Sequence, residues 1–245
     1  MPPSTHLAQA FEAADPDHFA WQTEGAYIAE RERELCRAAF LPLGSSVLDL
    51  GCGEGATLHH LGAPDGAVGV DLFPSKIEFA RQRLPGCRFV VASVCELPFE
   101  SQSFDHLVVR DLIHHLDEPE RFIEECARMV IPGGRIDILE PCRNNPLIFL
   151  HAITNRAERG ELRSTARFLE GLVKRRFRVV STQRLQPLPI HRLVFHPKLG
   201  LPALARTPIG ARSVEIVENL AQYLMPRSAW AYIHVRAVAP SSDTR

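Results

Sequence analysis

Residues Val47 to Gly55 read VLDLGCGEG, an apolar run with one acid, Asp49, that breaks into alternating glycines. Glycines in that pattern let a backbone turn through positive φ and let a ligand approach it closely. A helix starting straight after such a turn presents unpaired N–H groups and the positive end of its dipole. That chemistry suits any nucleotide-type ligand. Read from Gly51, GCGEGA also satisfies the dinucleotide fingerprint GxGxxA, and Asp71 stands about twenty residues on, where an acid would bond ribose hydroxyls. On these residues alone a nicotinamide cofactor and an adenosyl cofactor compete.

Further side chains with chemistry lie downstream. His114 and His115 are adjacent, a pattern that suits either a proton-transfer base or a metal site, and equally packing beside a ligand. Glu140 closes an apolar run, His151 follows it, and His191 and His196 lie later still; taken singly, these last three read as surface histidines. His18, Trp21 and Tyr27 sit near the start, where they read first as packing residues of an amphipathic helix and second as a cover over the ligand.

The elements that must position these residues follow from periodicity. A helix is expected over 17–40, then short apolar strands at Val47–Leu50, Ala67–Asp71, Arg88–Ala92, Phe104–Val109 and Arg135–Glu140. Helices fill the gaps: Ala56–Leu61, Ser75–Leu84 with Ser75 and Glu78 at capping-box spacing, and Pro119–Val130 capped by Asp117 and ended by Pro132-Gly133-Gly134. Alternation of this kind means βαβ units and a parallel sheet, with the ligand at the carboxyl ends of the strands. Beyond Glu140 the rhythm changes. Segments 141–162 and 186–226 read as apolar, helix-containing insertions around a helix at Thr165–Arg175 and a strand at Phe177–Ser181, and Trp230–Val238 closes the chain as a last strand.

Several of these stretches together resemble the class I S-adenosylmethionine-dependent methyltransferases. Asp49 makes the glycine run D-x-G-x-G-x-G, which resembles their first motif; VGVDLFPSKIEFAR resembles their second segment. ELPFESQSFDHLVVRDLIHHLDEPERFIEECARMVIPGG resembles their fourth-strand region, and IDILEP their fifth strand, so that the likeness runs from Ser46 to Pro141. It leans towards the branch that methylates metabolites and lipids, near the quinone-biosynthesis enzymes. The resemblance implies a doubly wound, Rossmann-like α/β fold, a seven-stranded sheet with its last strand antiparallel, in one domain over 1–245 with core 46–141 and the insertions as a cap. It implies S-adenosylmethionine as cofactor and S-adenosylhomocysteine as product. Asp49, Gly51, Cys52 and Gly53 would line the methionine moiety, Asp71 would take the ribose hydroxyls, and Leu72 would lie against the adenine. Ser93 and Val94 stand where the family has an acid and a small residue at the adenine edge, and Arg110 would reach the cofactor carboxylate or a substrate acid, unless it is a surface arginine. His114, His115, Glu140 and His151 are the candidates for a general base.

Composition narrows the partners. The chain has 245 residues, 45% hydrophobic, with a formal net charge of -1, which gives no sign of nucleic-acid or anionic-membrane binding. KRRFR (174–178) reads as a solvated helix end rather than a nucleic-acid patch. No apolar run approaches the ~18–20 residues of a membrane helix. The six cysteines lack CxxC or metal-ligand spacing, so reduced thiols, a cytoplasmic setting and no bound metal are expected. The expected activity is methyl transfer to a small, hydrophobic or amphipathic acceptor such as a polyketide, a prenylated ring or a lipid intermediate. The alternatives are a nicotinamide-dependent oxidoreductase or epimerase, for which no Tyr-x-x-x-Lys pair is present, and a non-catalytic S-adenosylmethionine-binding relative. A homodimer through the apolar insertions is compatible with the sequence.

Overall fold

The computed structural model describes residues 11–196 and 200–241. The N-terminal stretch MPPST lies outside the described residues, as does most of the tail beyond Pro240. Seven strands form one sheet in the order β3-β2-β1-β4-β5-β7-β6. They are β1 (Val47–Leu50), β2 (Val68–Asp71), β3 (Arg88–Val91), β4 (Phe104–Arg110), β5 (Val130–Pro141), β6 (Arg178–Leu185) and β7 (Tyr232–Val238). The first five run parallel, and β7 enters antiparallel between β5 and β6.

Parallel strands covered on both faces should be apolar almost throughout, and β1 is buried at all of its positions. Alternation along β4 divides the core. Leu107 and Val109 face one layer with Phe122, Ile123 and Cys126 of α5 (Pro119–Met129), whereas Val108 faces the other with Leu35, Cys36 and Ala39 of α2 (Ala26–Phe40). The second layer also takes Ile77 and Ala80 of α4 (Pro74–Arg83).

One buried charge crosses the sheet. Asp137 on β5 is fully enclosed, with His106 Nε2 at 3.0 Å, His234 Nε2 at 2.8 Å and Arg236 Nε at 2.7 Å. Burial opposes ionisation, but these donors outweigh it and hold the carboxyl well below the usual carboxylate range.

Local chemistry corrects several sequence expectations. The helix expected over 17–40 is two, α1 (Pro16–Thr23) and α2, because Glu24 ends the first and Gly25, in extended geometry, caps the second. The Ser75–Glu78 capping box is not made: α4 begins at Pro74 and Ser75 Oγ donates instead to the Glu12 carbonyl. Asp117 does not cap α5; Glu118 is the cap residue, without a side-chain bond. The helix expected at 165–175 is α7 (Ala166–Val173), and Thr165 is its cap, with Oγ1 accepting from Phe168 N at 3.1 Å.

The insertions are helical. The first holds α6 (Pro146–Thr154) and a 3₁₀ segment at Arg156–Arg163. The second holds α8 (His191–Val194), a 3₁₀ turn at Pro202–Arg206 and α9 (Pro208–Leu224). Among the described residues no helix is long and apolar enough to cross a membrane.

Candidate functional site

The strand order reverses between β1 and β4, and at their carboxyl ends opens a cavity of about 1400 Å³. The site position inferred from the βαβ pattern is therefore where the cavity lies. Its volume exceeds the ~300–1,000 Å³ of a single-ligand pocket.

The glycine turn forms one wall. Gly51 has φ +73°, and a Cβ there would meet Leu112 Cδ1 at 2.8 Å, so both conformation and packing require glycine. The turn is followed by α3 (Ala56–His60), a helix of five residues. Four N–H groups of the glycine turn are spent inside the protein. Gly51 N and Cys52 N donate to the Val70 carbonyl at 2.8 and 2.9 Å, Gly53 N to Asp71 Oδ2 at 2.9 Å, and Gly55 N to the Cys52 carbonyl at 2.9 Å.

Beneath the turn, Asp49 is 1% exposed and its Oδ2 has no hydrogen-bond partner. Burial, with help from the Asp71 charge and against that of Arg110, pushes this carboxyl up to about 7. Asp49 itself does not line the cavity; a buried carboxylate with an unpartnered oxygen behind this turn favours a ligand that brings a cationic amine or sulfonium over a phosphate. Asp71, at the end of β2, lines the cavity and accepts from Phe73 N at 3.0 Å as well as from Gly53. Leu72, Ser93 and Val94 also line it, with Ser93 Oγ taken up by Cys95 N at 3.2 Å.

Arg110 is not a surface arginine. It is 8% exposed, ion-paired to Glu32 of α2, and 3.2 Å from Cys36 Sγ. Glu32 also takes Arg192 of α8 through both oxygens, at 3.0 and 2.8 Å. Two guanidinium groups thus share one buried carboxylate at the cavity wall, and Arg192 stacks 5.2 Å from the Tyr232 ring. Their neighbour His191, expected at the surface, is fully buried between Glu218 (2.6 Å) and Glu32 (3.6 Å). Neither Glu32 nor Arg192 is signalled by local sequence, because 160 residues separate them.

The four base candidates separate sharply. Glu140 is fully buried behind the cavity wall: its Oε1 accepts from Leu112 N and Ile113 N at 2.7 Å, and its Oε2 stands 2.7 Å from His114 Nδ1. It anchors the loop after β4 and does not line the cavity, so it is not placed to act as the general base expected of it. His114 Nε2 points to Glu158 Oε2 at 3.3 Å; burial opposes the charge, but the two carboxylates hold the ring well above its usual range. A ring held as imidazolium has no lone pair for a substrate proton. His115, its ring centroid 3.9 Å from that of His114, is pushed down to about 4 by burial and then by the His114 charge. His151 on α6 is half exposed, lines the cavity, and lies 3.4 Å from Glu161 Oε2.

Of the N-terminal residues, His18 and Trp21 line the cavity rather than serving only as core, whereas Tyr27 hydrogen-bonds Glu218 at 3.1 Å away from it. His196 lines it too, as do Leu147, Leu150 and Leu193 of the insertions. No residue of α9 does; that helix packs on α2 through Val214 and Glu218.

Residues 48–138 match the methyltransferase-domain family. The chain is 34% identical over 108 residues to a demethylmenaquinone methyltransferase of Clavibacter sepedonicus, covering 42% of this chain and 44% of that protein. It is 36% identical over 98 residues to a probable tRNA methyltransferase 9B of Bos taurus, covering 39% of this chain and 21% of that one. The chain thus spans less than half the length of these curated relatives. A solved structure of a Thermotoga maritima S-adenosylmethionine-dependent methyltransferase, described as a possible histamine N-methyltransferase, superposes with a TM-score of 0.64 at 17% identity, over 95% of this chain and 98% of that one. Matched segment and fold agree: residues 48–138 are similar to the methyltransferase domain, and they lie in a sheet of the same fold as the solved methyltransferase.

Proposed function

We propose that this chain transfers a methyl group from S-adenosylmethionine to a small, mostly apolar acceptor bound under the insertions. The observation that carries the reading is the unpartnered Asp49 carboxylate oxygen behind the glycine turn, with Asp71 tied to that turn on the cavity wall. Asp49, Gly51, Cys52 and Gly53 would hold the methionine end, Asp71 the ribose hydroxyls, and Leu72, Ser93 and Val94 the adenine. Arg110, already shared with Glu32, would act on the cofactor carboxylate only as a distant charge.

When bound, the sulfonium supplies an activated methyl carbon. What remains for the protein is alignment and exclusion of water, which are large effects for a bimolecular transfer. Leu147, Leu150 and Leu193 line the side of the cavity that faces the insertions, which supports an acceptor with substantial apolar surface. An acceptor hydroxyl would need to lose its proton, and of the expected bases only His115 and His151 combine a place on the wall with a ring not locked between Glu140 and Glu158.

The test is methyl-labelled S-adenosylmethionine offered with a panel of hydroxylated quinones, aromatic polyketides, biogenic amines and tRNA. Label extracted into organic solvent with the first two groups supports the proposal. Label confined to amines or tRNA contradicts the apolar acceptor.

A further inference from the structure

We propose that His114, His115, His151, Glu158 and Glu161 form a site for one divalent first-row transition-metal cation on the insertion side of the cavity. All five line the cavity wall. His114, His115 and Glu158 place one ligand atom each within 4.8 Å of one another, and so do His151, Glu158 and Glu161. Glu158 belongs to both sets and joins them.

The spacing is that of ligands around one ion. Glu158 Oε2 lies 3.3 Å from His114 Nε2 and 3.7 Å from His115 Nε2, and Glu161 Oε2 lies 3.4 Å from His151 Nδ1. Metal bonds of ~2.0–2.1 Å in a tetrahedron set ligand atoms about 3.3–3.4 Å apart. A dication would displace the proton that His114 otherwise carries; two carboxylates with imidazoles then neutral balance the ion, and mixed nitrogen and oxygen donors favour zinc-like ions over magnesium.

Three independent features support a ligand here. Glu161 is 5% exposed, and its Oε2 makes no hydrogen bond although it faces His151. A buried carboxylate oxygen held by a single long ion pair, without a hydrogen bond, is left with room for a further positive partner. His114 has the outer partner of a metal-binding histidine: Glu140 takes Nδ1 at 2.7 Å, which turns Nε2 towards Glu158. Finally, the backbone is built to bring the two halves together. Glu158 and Glu161 are three apart on a 3₁₀ segment, so they share a face, and Gly160 between them lies against the His114 carbonyl where a Cβ would overlap it.

The site does not depend on the methyl-transfer reading, though its use would: a cation there would bind an acceptor oxygen and lower its pKa. Calorimetric titration of the metal-stripped chain with Zn²⁺, and a Co²⁺ titration read by visible absorption, test it without any cofactor present. We expect one ion per chain for Zn²⁺ and Co²⁺, no comparable Mg²⁺ binding, and a loss of about 100-fold or more in Glu158→Gln. Should that variant fail to fold by circular dichroism, the half-exposed His151→Ala carries the same readout, with a loss of at least tenfold. No stoichiometric binding, Mg²⁺ binding as tight as Zn²⁺, or unchanged Zn²⁺ affinity in the folded variant overturns the proposal.

Discussion

Glu140 Oε2 lies 2.7 Å from His114 Nδ1, while its Oε1 takes the N–H groups of Leu112 and Ile113, so one buried carboxylate fixes the loop after β4. Removing it strands a charged ring and two backbone donors. Glu140→Ala is expected to lose about 3–5 kcal/mol of stability, as for other broken buried pairs. Urea denaturation checks this, and a loss below about 1 kcal/mol would mean the anchoring is dispensable.

On the proposed placement of Asp49 behind the methionine end of the cofactor, cofactor affinity should depend on pH. Its carboxyl is pushed up to about 7, so below that pH it is mostly protonated in the empty protein. A cationic ligand favours the ionised form, and binding should therefore tighten as pH rises towards and past 7. Between pH 6 and 7.5 the dissociation constant should fall roughly five- to tenfold. Asp49→Asn should flatten that profile, which titrations at both pH values will read.

Asp137 acts on the fold rather than the site. Its folded pKa lies below the ordinary carboxylate value, so its stabilisation is present above about 4 and is lost as pH falls below that towards the folded value. Asp137→Asn should lower neutral-pH stability by about 3 kcal/mol or more and flatten the acid limb of the stability curve. Thermal melts between pH 2 and 7 distinguish the two chains; parallel curves would contradict the assignment.

Gly160→Ala tests the clamp between the first insertion and the β4 loop. A Cβ would overlap the His114 carbonyl, and backbone cannot yield as a flexible side chain does. A loss of about 1–3 kcal/mol is expected, together with faster amide exchange over the 3₁₀ segment Arg156–Arg163. Unchanged exchange there would show that the two segments are not held together.

Much of the site was legible because its signals are short in sequence. Gly51, Gly53 and Asp71 belong to one βαβ unit, and the apolar strands around them need no distant partner to be recognised. The N-terminal helix was misjudged at Gly25, where apolar periodicity continues across a break made by backbone geometry. Ser75 met the spacing of a capping box, but a tertiary contact to Glu12 claimed its hydroxyl. His191 and Arg110 were unreadable for a different reason. Their environment is made by Glu32 and Glu218, residues far away in the chain, and local pattern carries no information about such closure.

The account rests most heavily on the ligand of the glycine turn. Calorimetric titration with S-adenosylmethionine, S-adenosylhomocysteine and NAD(H), on the chain and on Asp71→Ala, tests it directly. Asp71 holds the turn through Gly53 and would take the ribose hydroxyls on the proposed reading, so micromolar binding of the two adenosyl ligands should weaken about 100-fold or more in the variant. Binding of NAD(H) in their place, or adenosyl binding indifferent to Asp71, would contradict the account.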